Sequence, residues 1–366
     1  MAFKKRTPKG GGSTSVATRQ GSALVGVDIS NSAVKMVQLS QKGKGYHLDG
    51  YSIVPFPKEL VVDGRVADID ALAQHVRQAW TAQGGGTKSV VAALPSAMVT
   101  FKTFTHPAED SKGLEAAAEF EASQLISLDE VNLDFQIIGA ANNMPDEVEV
   151  LLCAARKEAV EEREAIVNEA GLSLSLLDVD AFATVNAVEF ILSQAQRSWS
   201  NQTIAVFDIG ATKMQCHVMR NGRLLYYKDQ SVGGHQLSRD IQRRYGITYE
   251  EADQGKRTNN LPAGYEVDVR KPFIDGLVQE IHRSLQFFYS TVNVAQYQQI
   301  DMILLAGGTG ALPTLEEAVQ AKTQISTMTL NPFANISSNS NIALKQLVQD
   351  APSLLVAFGL ALRRFA

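Results

Sequence analysis

The chain is poor in cysteine: Cys153 and Cys216 are the only two in 366 residues, far apart and each among apolar neighbours. That excludes a disulfide scaffold and a cysteine-based zinc centre, and it fits a reducing compartment. A basic excess is also missing. The 34 Lys and Arg against 39 Asp and Glu leave a formal charge of −5, so a dedicated nucleic-acid binder, which needs positive surface potential, is excluded. No long apolar run occurs. The stretch from Pro352 to Leu362 is about half of what a bilayer demands, and the basic N-terminus has no apolar segment behind it that would make a signal peptide. Any membrane contact is therefore expected to be peripheral, with the protein in the cytoplasm. Neither GxxxxGK[ST] nor a three-glycine dinucleotide fingerprint is present, which removes the P-loop and Rossmann readings.

What is present is ample material for a core. Hydrophobic residues make up 45% and charged residues 20%, and the length predicts two to three compact units at roughly 150 residues each. Residues 1–22 stand apart. They carry Lys4, Lys5, Arg6, Lys9 and Arg19, no acidic residue, and the run Gly10 to Ser15, a composition that predicts a disordered tail. Its charge could favour an anionic leaflet or simply keep the chain soluble.

Order begins at Ala23, where two apolar runs flank the polar turn Ser30-Asn31-Ser32 and predict a hairpin. Tyr46 to Val54 reads as a strand and Ile69 to Ala82 as a helix closed by Gly84-Gly85-Gly86. A buried strand from Ser89 to Leu94 follows. Residues 96–171 read as a βαββα block with its own apolar pattern. Its strands are Val99 to Thr105, Leu133 to Ile138 and Val148 to Ala154, and its helices Ser111 to Ile126 and Lys157 to Ala170, the last ended by Gly171. From Thr203 the opening pattern returns. Setting Asp28 over Asp208 aligns Val-Asp-Ile-Ser-Asn-Ser with Phe-Asp-Ile-Gly-Ala-Thr, and both copies are followed by a second hairpin cue, Lys42-Gly43 and Asn221-Gly222. The chain is an internal duplication.

A turn of small residues after a strand lets backbone N–H groups approach phosphate oxygens closely. Ser30, Asn31 and Ser32 suit that task, as do Gly210, Ala211 and Thr212. Two such hairpins facing each other would grip a polyphosphate, each with a carboxylate, Asp28 or Asp208, beside it. Those carboxylates would repel a triphosphate unless a divalent cation intervened, so Mg²⁺ held mostly through water is implied at Asp28 and Asp208. Lys35 could add a positive charge. A third element, Ile303 to Pro313, is a buried strand ending in the turn Gly307-Gly308-Thr309-Gly310, suited either to a base and α-phosphate or to an ordinary strand-to-helix junction. The histidines do not cluster with carboxylates at metal spacing.

These three elements resemble the phosphate-1, phosphate-2 and adenosine motifs of the superfamily of actin, heat-shock chaperone ATPases and sugar kinases. The connecting helices resemble Leu177 to Asn186 and Ala351 to Arg363. More closely, the chain from about Leu24 onward is similar to the PilM family of type IV pilus assembly proteins. The matches include Gly26-Val-Asp-Ile-Ser, Asp208-Ile-Gly-Ala-Thr, Gly233-Gly-His-Gln-Leu, Ile241-Gln-Arg-Arg-Tyr-Gly, Arg283-Ser-Leu-Gln-Phe-Phe, Asn331-Pro-Phe-Ala and Gly359-Leu-Ala-Leu-Arg.

The resemblance implies an α/β, actin-like (ribonuclease H-like) duplicated fold of two lobes with a small inserted subdomain of the FtsA and PilM type. On that basis 23–95 and 172–198 would form the first lobe and 96–171 the insert. Residues 199–366 would form the second lobe, with 231–298 its peripheral part and the last helix, 351–366, returning to the first. It implies ATP or ADP with Mg²⁺, bound by Asp28, Ser30, Asn31, Ser32 and Lys35, by Asp208, Gly210, Ala211 and Thr212, and by Gly307, Gly308 and Thr309. In relatives an acidic residue and a Lys one turn later touch the ribose and adenine. Asp253 and Lys256 match that spacing, as would a charge pair on an exposed helix face. Asp180 is the nearest candidate to orient an attacking water, with a capping role as its alternative, so slow ATP turnover at most is expected.

The implied partners are the cytoplasmic N-terminal peptide of PilN and, through it, the inner-membrane platform of the pilus, in support of twitching motility. Strand Val99 to Thr105 and the helix around Phe120 and Leu125 are candidates for the peptide groove or for subdomain core. Self-association through the lobes is left open. Two other classes compete: an FtsA-like polymerising membrane tether, and a small-metabolite kinase. A tether would be expected to carry an amphipathic helix after a linker, whereas the sequence runs from the last connecting helix straight into Arg363-Arg364-Phe365-Ala366. A kinase would need a sugar-binding loop that the sequence does not show.

Overall fold

The computed structural model describes residues 23–365 except 44, 63, 111, 142–143, 195–198, 259 and 292–298. The tail expected at 1–22 and the end of the 231–298 segment lie outside the described residues. The chain divides into two compact units, one of residues 1–186, 336–339 and 356–366, the other of 187–335 and 340–355.

In the first unit the opening apolar run is β1 (Val25–Ile29), buried along its whole length as a central strand covered on both faces must be. β2 (Ala33–Lys42) returns antiparallel, and β3 (Gly45–Pro55) pairs with β2 in turn. A two-residue ladder, β4 (Val61–Val62) with β5 (Arg65–Val66), leads to α1 (Ile69–Ala82). That helix starts where Asp68 accepts the Ala71 N–H at 3.0 Å, and it buries Leu72, Ala73, Val76 and Ala79. β6 (Ser89–Leu94) then runs parallel to β1.

The inserted block follows as β7 (Val99–Pro107), α2 (Leu114–Ser123), β8 (Val131–Ala141), β9 (Met144–Arg156) and α3 (Lys157–Glu169). Its three strands make their own sheet in the order β7-β9-β8. α2 is shorter and the β8–β9 hairpin longer than the apolar pattern predicts. Backbone pairing carries the ladder beyond the apolar pattern at both ends, from Val131 opposite Arg156 to Ala141 opposite Met144. β10 (Ser173–Val179) rejoins the main sheet parallel to β6, and α4 (Asp180–Ser193) carries the chain into the second unit.

The second unit repeats the plan. β11 (Thr203–Ile209), β12 (Met214–Arg220) and β13 (Arg223–Gln230) form an antiparallel meander. Helices α5 (Gly234–Tyr245), α6 (Tyr249–Thr258) and α7 (Lys271–Thr291) precede β14 (Met302–Ala306), which is parallel to β11. α8 (Leu315–Thr323) and β15 (Ser326–Thr329), parallel to β14, follow. β16 (Ser337–Ser338) adds to the edge of the first unit's sheet beside β3, and α9 (Leu344–Asp350) and α10 (Leu355–Ala361) close the fold.

The sheets run β10-β6-β1-β2-β3-β16 and β13-β12-β11-β14-β15. Read from the meander outward, β3-β2-β1-β6-β10 and β13-β12-β11-β14-β15 have the same order and directions, so the duplication seen in the sequence extends to topology. In each unit the C-terminal ends of the central parallel strands carry the small-residue turns, the usual place for a ligand in open α/β sheets.

Candidate functional site

Both hairpin turns have four residues and one closing bond. In the first, the Ser30 N–H donates to the Ala33 carbonyl at 3.1 Å; in the second, the Gly210 N–H donates to the Lys213 carbonyl at 2.9 Å. The Ser30 hydroxyl is spent inside its turn, donating to the Ala33 carbonyl at 2.9 Å and accepting the Ala33 N–H at 3.3 Å. Asn31 and Ser32 are half-buried at the rim. Asp28, the penultimate residue of β1, is buried and faces Lys35 across the ladder, with the Lys35 Nζ donating to its carboxylate at 3.1 Å.

Asp180 sits in the same unit, at the start of α4. Ser96 donates its N–H to the Asp180 carboxylate at 2.8 Å and its hydroxyl to the same oxygen, while the Ala181 N–H donates back to the Ser96 hydroxyl at 3.2 Å. The Ser96 hydroxyl thus takes an N–H at the start of α4, and the Asp180 carboxylate holds Ser96 in place. Ser96 itself had only a weak signal, a serine after the Pro95 that stops a buried strand.

In the second unit Asp208, Gly210, Ala211, Thr212, Gly307, Gly308, Thr309 and Lys256 come together. The Thr309 N–H donates to the Ile209 carbonyl at 3.0 Å, and its hydroxyl to the Gly210 carbonyl at 2.8 Å. The Gly234 N–H also donates to Gly210, and the His235 N–H to Ala211. Three chain segments therefore meet on one turn. Glycine is required at 307, where φ is +81° and a Cβ would collide with the Ile209 carbonyl and come within 2.5 Å of the Asp208 carboxylate. A Cβ on Gly234 would press on the Thr309 hydroxyl at 2.6 Å and approach the Lys256 Nζ at 3.5 Å. By contrast, a Cβ on the exposed Gly308 would meet open space. The result is a crowded junction whose backbone is open at Gly308 alone of the three residues 307–309.

Asp253 and Lys256 are not the exposed charge pair that i,i+3 spacing suggests. Their side chains are 20% and 14% exposed, and the Lys256 ammonium donates to Asp253 at 2.6 Å, to the Ser238 hydroxyl at 2.6 Å and to the Gly234 carbonyl at 2.9 Å. The lysine thus ties α6 to the start of α5. Burial pulls the Lys256 ammonium below its ordinary pKa despite Asp253. Burial alone would raise Asp253, but the bond and charge of Lys256, with Arg257 and Ser238, outweigh it and hold the carboxyl below its ordinary value. The sequence gives no sign of the cation beside the second turn: Lys213 donates to Asp229 at 3.0 Å, a carboxylate that also takes bonds from Gln215 and Tyr227. Among the described residues no group of three or more His, Cys, Asp and Glu side chains converges.

A family model described as type IV pilus assembly protein PilM matches residues 26–365. Among solved structures, a PilM–PilN type IV pilus biogenesis complex superposes with a TM-score of 0.78 at 28% identity, covering 94% of this chain and 98% of that one. The ethanolamine utilization protein EutJ from Carboxydothermus hydrogenoformans matches with a TM-score of 0.56 at 17% identity, over 93% of this chain and 90% of that one. MreB5 of Spiroplasma citri bound to AMPPNP matches with a TM-score of 0.50 at 12% identity, over 92% and 94%. The fold is actin-like, with two lobes.

Proposed function

The chain belongs to the PilM family of type IV pilus assembly proteins, and on that premise we propose that it is an ATP-binding platform protein that captures the cytoplasmic N-terminal peptide of a PilN-type membrane partner. The observation that carries the nucleotide half of this reading is the repeated turn. One four-residue loop with one closing bond stands beside a carboxylate in each unit.

In this reading Asn31, Ser32 and Lys35 of the first unit, and Ala211 and Thr212 of the second, offer donors to phosphate oxygens, while Ser30 and Gly210 spend their N–H groups on closing the turns. Gly308 offers its exposed backbone to the adenosine, and Gly307 and Thr309 hold the turn that presents it. Lys256 keeps α5 and α6 in place beside them. Mg²⁺ would offset the charge of the phosphates against Asp28 and Asp208, held mostly through water. Asp180 is the group that would orient a water, but Ser96 already binds one of its oxygens. Turnover is accordingly slow at most, and the nucleotide acts as a ligand that stabilises one state.

The peptide half rests on the family and on the similarity to a chain solved in complex with PilN. An extended peptide would bind by backbone pairing along a strand edge, with its leucines in apolar pockets. β7 and β8 are the edges of the inserted sheet, and Phe120 and Leu125 are exposed beside it. Among the described residues no helix is long and apolar enough to cross a membrane. Peripheral placement at the inner membrane through partner proteins, in support of twitching motility, follows from the same reading.

The test is a fluorescence titration of the protein with a labelled PilN-type N-terminal peptide, with and without Mg²⁺-ATP. Saturable binding that is lost when the peptide's leucines become alanine is expected. No binding in either condition would contradict the platform reading.

A further inference from the structure

Arg163 is the largest fully buried side chain among the described residues, at 2% exposure, and its Nε and Nη1 have no hydrogen-bond partner. A guanidinium carries five donors and cannot shed its charge, so burying it unpaired is among the costlier arrangements in a protein interior. Such groups are expected to be satisfied or to have a use.

Its place in the fold indicates the use. α3 packs on β6 and β10 and feeds straight into the start of β10, so it runs antiparallel to both strands. Its ends confirm that direction. Ala159 clusters with Leu94, Leu177 and Val179 near the C-terminal ends of the strands, whereas Ile166, Val167 and Ala170 cluster with Val90 and Leu172 near their beginnings. Side chains on a helix lean toward its N-terminus. From the middle of α3, Arg163 therefore leans toward the strand ends that carry Asp28, Ser96 and Asp180.

The charges agree. Burial lowers the Arg163 pKa, and the negative charges that oppose this are Glu162 on its own helix, then Asp28 and Asp180. Yet neither Asp28 nor Asp180 hydrogen-bonds to it. Asp28 is paired with Lys35, and Asp180 takes the Ser96 hydroxyl and N–H.

We propose that Arg163 is a positioning residue of the nucleotide site: a buried positive charge, supplied by the inserted block, that lies under the first phosphate turn and acts on Asp28 and Asp180 through its field. The inference rests on the reading of the 28–35 turn as a phosphate site. The charge offsets the two carboxylates and makes room for an incoming polyanion. It also makes a helix of the inserted block part of the electrostatics of the nucleotide site.

Arg163→Met keeps most of the side-chain volume and removes the charge, whereas Arg163→Lys keeps the charge. The experiment measures calorimetric affinity for ATP without metal and for Mg²⁺-ATP, together with the unfolding midpoint of the ligand-free proteins, for wild type, both variants and Asp28→Ala. For Arg163→Met the expected result is about a tenfold loss of affinity for metal-free ATP and about a threefold loss for Mg²⁺-ATP, because the metal halves the charge that Arg163 attracts. Its ligand-free midpoint should be no lower than that of wild type, because an unpaired buried cation has been replaced by an apolar chain. Arg163→Lys should bind like wild type. A lower midpoint in Arg163→Met with both affinities unchanged would make the residue purely structural and overturn the inference. So would equal losses in the Met and Lys variants or, if only the Lys variant folds, binding by it as weak as that of Asp28→Ala. Failure of wild type to bind either form of ATP would instead overturn the phosphate reading of the turn itself, and this inference with it.

Discussion

Asp28 and Lys35 face each other across the first hairpin and are joined by a 3.1 Å ion pair, whereas at the matching ladder position of the second hairpin Asp208 faces Gln215. The two copies share a backbone and differ in charge. In the first, the cation is bound to the carboxylate of the turn; in the second, Lys213 is bound to the more distant Asp229. Lys35→Met should therefore lower the affinity for Mg²⁺-ATP by about tenfold, or ~1.4 kcal/mol, in a calorimetric titration. Unchanged affinity would leave Lys35 as a mere partner of Asp28.

Gly307 lies where a left-handed backbone conformation and two crowding neighbours coincide. Gly307→Ala should destabilise the second unit by several kcal/mol in a denaturant titration, because both the positive φ and the Ile209 carbonyl must be accommodated. Gly308→Ala, which meets open space, should leave stability unchanged while weakening ATP. Equal stability losses at the two positions would contradict the description of this turn.

Lys256 binds Asp253, Ser238 and the Gly234 carbonyl at once. Its removal in Lys256→Met should cost about 1–3 kcal/mol of stability even without nucleotide, because Asp253 keeps its burial and loses its nearest cation. Loss of ATP affinity with no loss of ligand-free stability would instead make the lysine a dedicated ligand contact.

His217 is wholly buried on β12, and burial pulls its pKa down to about 4, against a smaller opposing pull from Asp229. The unfolded chain takes up this proton near pH 6.5 and the folded one only near 4. The stability linked to the neutral ring is thus complete above about 6.5 and is lost as pH falls from there toward 4, by up to about 3 kcal/mol. In His217→Phe, which can keep the stacking on Tyr227, the slope of stability against pH should flatten over that window. An unaltered slope would place the acid sensitivity elsewhere.

The sequence carried the repeat in full at the level of local pattern. Two apolar runs around a four-residue turn can form little other than a hairpin, and the limits of α1 follow from Asp68 and the glycines after Ala82. Tertiary context decided the rest. The two-residue strand at Ser337–Ser338 is held by the His47 ring, which contacts the Ser337 hydroxyl at 2.6 Å and Asn339 at 3.0 Å, a pairing across nearly the whole chain that no local pattern encodes. Asp253 and Lys256 have the spacing of a surface pair, and only the packing of α5 on α6 buries them. Arg163 reads as one charge among five in Glu158 to Glu164, on a helix whose polar face should be wet. Its burial appears only once α3 is laid along the sheet.

The central claim is that the turn in each unit takes part in nucleotide binding. The most direct measurement is calorimetric titration of Mg²⁺-ATP into wild type, Asp28→Ala and Asp208→Ala, with peptide binding as a check on folding. The account predicts saturable binding in wild type and a large loss of affinity in each variant, with peptide binding retained. Wild-type affinity in both variants would contradict it.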